Sequence, residues 1–251
     1  MRNMQLTPQE RETLDRLTGE IRDEVRKLRE PGAKRGLRAR VAADNRLVDG
    51  YLEVIYREME KLGIAPACRA GCDYCCYMNV HVAEAEAFHV AAHVEGSEHA
   101  AELKAAVFEA ARAIRGKTDE DRFREHVACP FLSRSDGRCR VYAARPFICR
   151  THNSTSRLGC RKAFRAGSPR GAEGARVGAV RKAIVLGAVA RHGYIAGSAQ
   201  AGLASEGVEL VQALATIFST EAAEVRWAAG EDVFAALRRT AAPRPAVEAA
   251  V

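Results

Sequence analysis

Four of the nine residues from Cys68 to Cys76 are cysteine (Cys68, Cys72, Cys75 and Cys76), and Cys129, Cys139, Cys149 and Cys160 follow at wider spacing. Thiols in such number serve either as cross-links or as metal ligands and reactive groups, and chain length and compartment decide between the two. Disulfide frameworks belong mostly to short secreted chains that cannot build a core. With 251 residues, 47% of them hydrophobic, this chain can bury an ordinary core without staples. The charged N-terminal segment has no apolar stretch of the kind a signal peptide needs. Ala183 to Ala204, the most apolar later stretch, is interrupted by Arg191-His192 and several glycines, so no membrane span is expected. A cytoplasmic, reducing setting follows, in which the thiols read as ligands before they read as cross-links.

The formal charge of +7 is unevenly spread, because from Arg145 to Arg191 every Lys, Arg, Asp or Glu is basic except Glu173. A nucleic-acid partner is compatible with that run but not favoured, since no aromatic residues interleave the arginines to stack on bases. A solvated basic face is the preferred reading.

Periodicity predicts a mainly α-helical protein. Leu14, Leu17, Ile21, Val25 and Leu28 mark a helix that starts at Thr7-Pro8-Gln9-Glu10 and stops at Pro31-Gly32, and a second is expected over 37–62. Together they suggest an N-terminal helical hairpin over residues 1–66. Helices are also expected over 82–94, 98–114, 175–191, 207–218 and 221–239, with Pro146 opening a short one that carries Cys149. The Asp136-Gly137 turn between Phe131-Leu132 and Val141-Tyr142 predicts a small β-hairpin that sets Cys129 across from Cys139. The resulting division is a cysteine-cluster domain over 67–165, a helical extension over 166–240 beginning with the glycine-rich loop 167–178, and a disordered tail over 241–251.

A short turn can wrap Cys68, Cys72 and Cys75 around one ion, with Gly71 relieving the backbone. The vicinal pair Cys75-Cys76 is different, because adjacent side chains point apart and seldom fill one tetrahedral site. One of the two is therefore expected to serve a second ion, a polynuclear cluster or another role. Arg69, Arg138, Arg140, Arg150 and Arg161, each beside a cysteine, either donate to sulfur or are simply exposed.

The run Cys68–Cys76, Cys129-Pro130-Phe131-Leu132, Cys139-Arg140-Val141-Tyr142 and Arg145-Pro146-Phe147-Ile148-Cys149-Arg150 resembles the bacterial CxxCxxCC family of cysteine-cluster proteins. The resemblance implies zinc or iron chelation without a defined reaction. It carries over Cys68, Cys72, Cys75, Cys76, Cys129, Cys139 and Cys149 as family cysteines, with Cys160 added, and covers the middle third to half of the chain. One extra residue between Cys68 and Cys72 departs from the namesake spacing.

Cys68-x3-Cys72-x2-Cys75 also has the spacing of radical S-adenosylmethionine enzymes, but their alternating strands and helices are not expected after Cys76. An alternative is an iron–sulfur-dependent protein lysine methylase, since flagellin lysine N-methylases share a related cluster. No glycine-rich nucleotide loop supports it. His126 and His152 lie near Cys129 and Cys149 and are read as polar neighbours, His81, His89 and His93 as helix-surface residues. Asp73 is expected to stabilise its turn through its side chain. The metal is expected to be Zn2+ or iron, with an iron–sulfur cluster allowed, held by all eight cysteines.

Overall fold

The computed structural model describes residues 7–27, 36–169 and 177–240. The stop at Pro31-Gly32, most of the glycine-rich loop and the tail 241–251 lie outside the described residues. In chain order the helices are α1 (Pro8–Lys27), α2 (Leu37–Lys61), α3 (Glu84–Glu95), α4 (Ala100–Ile114), α5 (Asp119–Arg124), α6 (Phe147–Thr151), α7 (Arg157–Arg165), α8 (Arg181–Gln200), α9 (Leu210–Ser219), α10 (Ala223–Ala228) and α11 (Ala235–Thr240). Two short strands, β1 (His81–Val82) and β2 (Val208–Glu209), pair antiparallel, His81 opposite Glu209 and Val82 opposite Val208. The protein is mainly helical, as its periodicity predicts.

Local chemistry starts α1 and ends α2 where expected, whereas the helix expected over 175–191 lies instead over Arg181–Gln200, continuing through Arg191-His192. Thr7 and Glu10 close a reciprocal cap at the head of α1, Glu10 N donating to Thr7 Oγ1 (3.2 Å) and Thr7 N to Glu10 Oε2 (2.8 Å). Past the end of α2, Gly63 takes a φ of +71°. The predicted helix over 221–239 is instead two, because Gly230, at φ +100°, turns the chain between α10 and α11.

Two apolar cores meet along α3. One gathers Phe88, Val90, Leu103, Leu214, Trp227 and Phe234 from α3, α4, α9, α10 and the turn before α11. The other gathers Ile21, Val48, Met59, Phe147, Leu186 and Tyr194 from α1, α2, α6 and α8, with Ala83 and Ala85 contributed from the start of α3. The N-terminal helices do not pack chiefly on each other: α1 runs along α8, and α2 lies on α3. Small residues make the first contact possible, since a Cβ on Gly197 would lie 2.5 Å from the Arg22 carbonyl and one on Gly193 would lie 3.1 Å from that of Thr18.

Candidate metal centre

The first cysteine segment is held against three later parts of the chain, two by hydrogen bonds and one by close backbone contact. Ala67 N donates to Ser154 O (2.7 Å), and Ser154 N donates to Cys68 Sγ (3.3 Å). Gly71, at φ +80°, lies against Gly137 of the Asp-Gly turn, and a Cβ on Gly137 would approach Gly71 O to 2.9 Å. Two glycines far apart in sequence thus let two turns touch. Residues Tyr74–Tyr77 coil into a 3-10 turn, from which Cys76 O accepts Cys129 N at 2.6 Å.

The Asp-Gly turn forms as predicted in its minimal version. Ser133 N donates to Arg138 O (2.8 Å), Arg140 N to Phe131 O (2.8 Å), and the antiparallel bridge joins Leu132 to Cys139. Cys139 is therefore paired with Leu132 rather than directly across from Cys129. Pro146 stands at the start of α6, where proline costs no hydrogen bond, and α6 carries Cys149. Arg150, buried, fastens α6 by donating to Arg145 O (2.7 Å) and to the Asp49 carboxylate on α2 (2.6 Å).

Cys160 sits on α7, a helix that apolar periodicity misses because it buries only Gly159 and Ala163. The helix is recognisable by its cap instead, Gly159 N donating to Ser156 Oγ at 3.0 Å. Phe164 on its inner side is the residue that sequence reasoning overlooked. Its ring packs on Tyr77 (4.7 Å between centroids), Tyr74 (5.6 Å), Phe123 (5.9 Å) and His126 (3.9 Å), which clamps the 3-10 turn onto α7.

All eight cysteines are free thiols, and Cys68 and Cys75 are exposed. They form two electrostatic groups that share Cys75. Cys68 feels the charges of Cys72, Cys75 and Cys160 after the larger effect of burial, which pushes its thiol up. Cys149, raised well above the ordinary value by burial, feels Cys129, Cys75 and Cys139. Burial likewise pushes Cys129 up to about 12, with Cys139 as its charged neighbour. Cys76 and Cys75 share a hydrogen bond that raises the first and lowers the second, and Cys76 also senses Cys129 and Cys149. Three cations bear on the sulfurs: Arg157 lowers Cys72, Arg122 lowers Cys129, and Arg145 lowers Cys75, Cys139 and Cys149, each secondary to burial or hydrogen bonding. Arg145 is stacked over Tyr142 at 3.7 Å, and its Nε is buried without a partner.

Burial and neighbouring sulfurs disfavour the thiolate form, and a cation that takes the place of the protons offsets that cost, so the chemistry of the donor set fits a thiophilic ion. Among the described residues no three His, Cys, Asp or Glu side chains are drawn together as a closed ligand set.

The histidines fall outside both thiol groups. His126 Nε2 is 3.0 Å from Phe164 O and its backbone is left-handed at φ +53°. His89, half-buried, has its pKa lowered first by burial and then by His93 and Arg150. His81 lies in the β-pair and His152 ends α6. Asp73 makes no side-chain cap; its carboxylate instead lies 3.5 Å from the Tyr77 hydroxyl at the far side of the turn.

The middle of this helical protein carries eight free thiols on a tight turn, a hairpin and two short helices. Residues 67–169 match the CxxCxxCC family model, described as "Putative zinc- or iron-chelating domain", and so form a CxxCxxCC domain within the chain. No curated protein and no solved structure matches the chain. No helix among the described residues is long and apolar enough to cross a membrane.

Proposed function

We propose that the chain chelates zinc or iron through two thiol groups joined at Cys75. An outer group comprises Cys68, Cys72 and Cys160; an inner one comprises Cys76, Cys129, Cys139 and Cys149. The observation that carries this reading is electrostatic. Sulfurs separated by up to 92 positions in sequence, as in Cys68 and Cys160, lie close enough for the later one to bear on the ionisation of the earlier. Thiolates are soft ligands, and both zinc and iron–sulfur centres accept four of them.

The residues divide the work. The inner sulfurs pack against apolar side chains, Cys129 and Cys139 on the α3–α9 core and Cys76 beside Tyr77 and Leu132, which excludes water from thiolate–metal bonds. Arg145 and Arg157 offset the excess negative charge of a multi-thiolate set. A reducing cytoplasm is the setting in which such thiols stay available.

Anaerobic purification followed by elemental analysis and an absorption spectrum tests the reading. Zinc in a colourless protein, or iron with acid-labile sulfide in a brown one, is the expected result. Protein that takes up neither metal under reducing conditions overturns it.

A further inference from the structure

The outward face of α7 is the part of the basic run that the thiols do not use. Arg157, Leu158, Arg161, Lys162 and Arg165 are all exposed, while Gly159 and Ala163 face inward. Several other surface cations are matched, Arg226 with Glu231, Arg140 with Glu102, Lys117 with Glu125 and Arg38 with Glu224, whereas α7 gathers on one short helix four that are not. Among the described residues none of the four cations of α7 is in an ion pair. Only Arg157 bears on a sulfur, that of Cys72, so charge balance at the thiols does not account for Arg161, Lys162 and Arg165. Arg134 adds a further cation beside Tyr77, whose ring lies on Phe164; the carboxylate at that edge is Asp73.

Leu158 discriminates between partners. It is 52% exposed in the middle of these cations, where a phosphate backbone has no use for it. A protein surface does, because interfaces combine an apolar centre with a polar rim. Tyr142, the most exposed tyrosine, phenylalanine or tryptophan among the described residues, has a face covered by the Arg145 guanidinium, which leaves that face closed to a base.

We infer that the α7 face is a docking surface for an acidic protein partner, whose carboxylates meet Arg161, Lys162 and Arg165 around an apolar residue seated on Leu158. Docking there places the partner beside Cys160 and the Cys68–Cys75 turn, where metal can be handed over. That handover rests on the chelation reading, whereas the docking itself does not.

The test uses the full chain with its metal content measured, and two dye-labelled probes: a twelve-residue Asp/Glu peptide with a central leucine, and a twelve-nucleotide polyuridylate. Fluorescence anisotropy is followed at several salt concentrations. Arg161→Glu with Arg165→Glu is expected to weaken peptide binding at least tenfold. Arg112→Glu with Arg115→Glu, an equal charge change at the end of α4, is expected to weaken it less than twofold. Leu158→Ser should cost at least threefold without altering the salt slope. Equal losses from the two charge pairs, or polyuridylate binding more tightly than the peptide, overturn the proposal. If the α7 pair also empties the thiols of metal, Leu158→Ser decides: unchanged peptide affinity then sinks it. Loss of metal from the unaltered protein speaks against chelation alone.

Discussion

Glu86 sits fully buried in the first turn of α3, its carboxylate accepting Ala83 N and Phe147 N, each at 2.8 Å. Burial outweighs both hydrogen bonds and raises its pKa from 4.5 to about 7. The folded protein therefore holds this proton more tightly than the unfolded chain does. Its contribution is complete below pH 4.5 and is lost as pH rises through 7, amounting to at most about 3 kcal/mol. Glu86→Gln should flatten that slope, while lowering stability at pH 4.5 by about 1–3 kcal/mol because one N–H loses its acceptor. Urea midpoints measured from pH 4.5 to 8 check this; equal slopes in the two proteins would show that Glu86 is not the titrating group. Asn45 presents the opposite case. It is 3% exposed on α2 with neither amide atom hydrogen-bonded to protein. Asn45→Leu removes two stranded polar atoms at similar volume and is expected to stabilise by about 1–3 kcal/mol. A lower thermal midpoint in the variant would mean that the amide has partners in solution, such as buried water.

Among the elements, α8 and α2 make a matched pair of glycine tests. Gly197→Ala drives a methyl into the Arg22 carbonyl of α1 and should cost about 1–3 kcal/mol through overpacking. Gly50→Ala, inside α2 with nothing within 4 Å of the new carbon, should stabilise by about 0.5–1 kcal/mol. Denaturant midpoints that move in the same direction for both would contradict the packing described. These glycines also mark where the fold was legible. Leu17, Ile21 and Val25, or Val41, Val48 and Leu52, repeat at helical spacing because each stripe meets a core, so the start of α1 and both ends of α2 could be placed from sequence to within a residue or two. The partner of each stripe was not legible. The face of α8 that receives α1 is marked by what it lacks, the side chains absent at Gly193 and Gly197, and periodicity counts apolar bulk rather than its absence. The same blindness hid α7. The β-pair escaped because two residues per strand leave no alternation to read.

For the whole molecule, the cysteine spacing announced a metal-chelating domain, and the family match over 67–169 agrees. It did not reveal how the Cys68–Cys76 turn is seated, since that depends on Gly71 meeting Gly137 and on Phe164 clamping the 3-10 turn, contacts between residues with no chemical signature of their own. If the chain holds metal only when folded, chelation removes that stabilisation. A chelator should lower the thermal midpoint by roughly 8–16 °C when the free metal had stood at about a thousand times its dissociation constant. A midpoint indifferent to chelator would place the ion outside the folding equilibrium. The β1–β2 pair carries one more consequence, for biosynthesis. The segment just after Cys76 finds its hydrogen-bonding partner in Val208–Glu209. On a ribosome adding about 5–20 residues per second, the intervening 130 or so residues take roughly 7–26 s to emerge. For that interval the first four sulfurs are outside the tunnel before the strand that locks their neighbourhood exists, a window in which oxidants and stray metals compete with folding for every newly made copy.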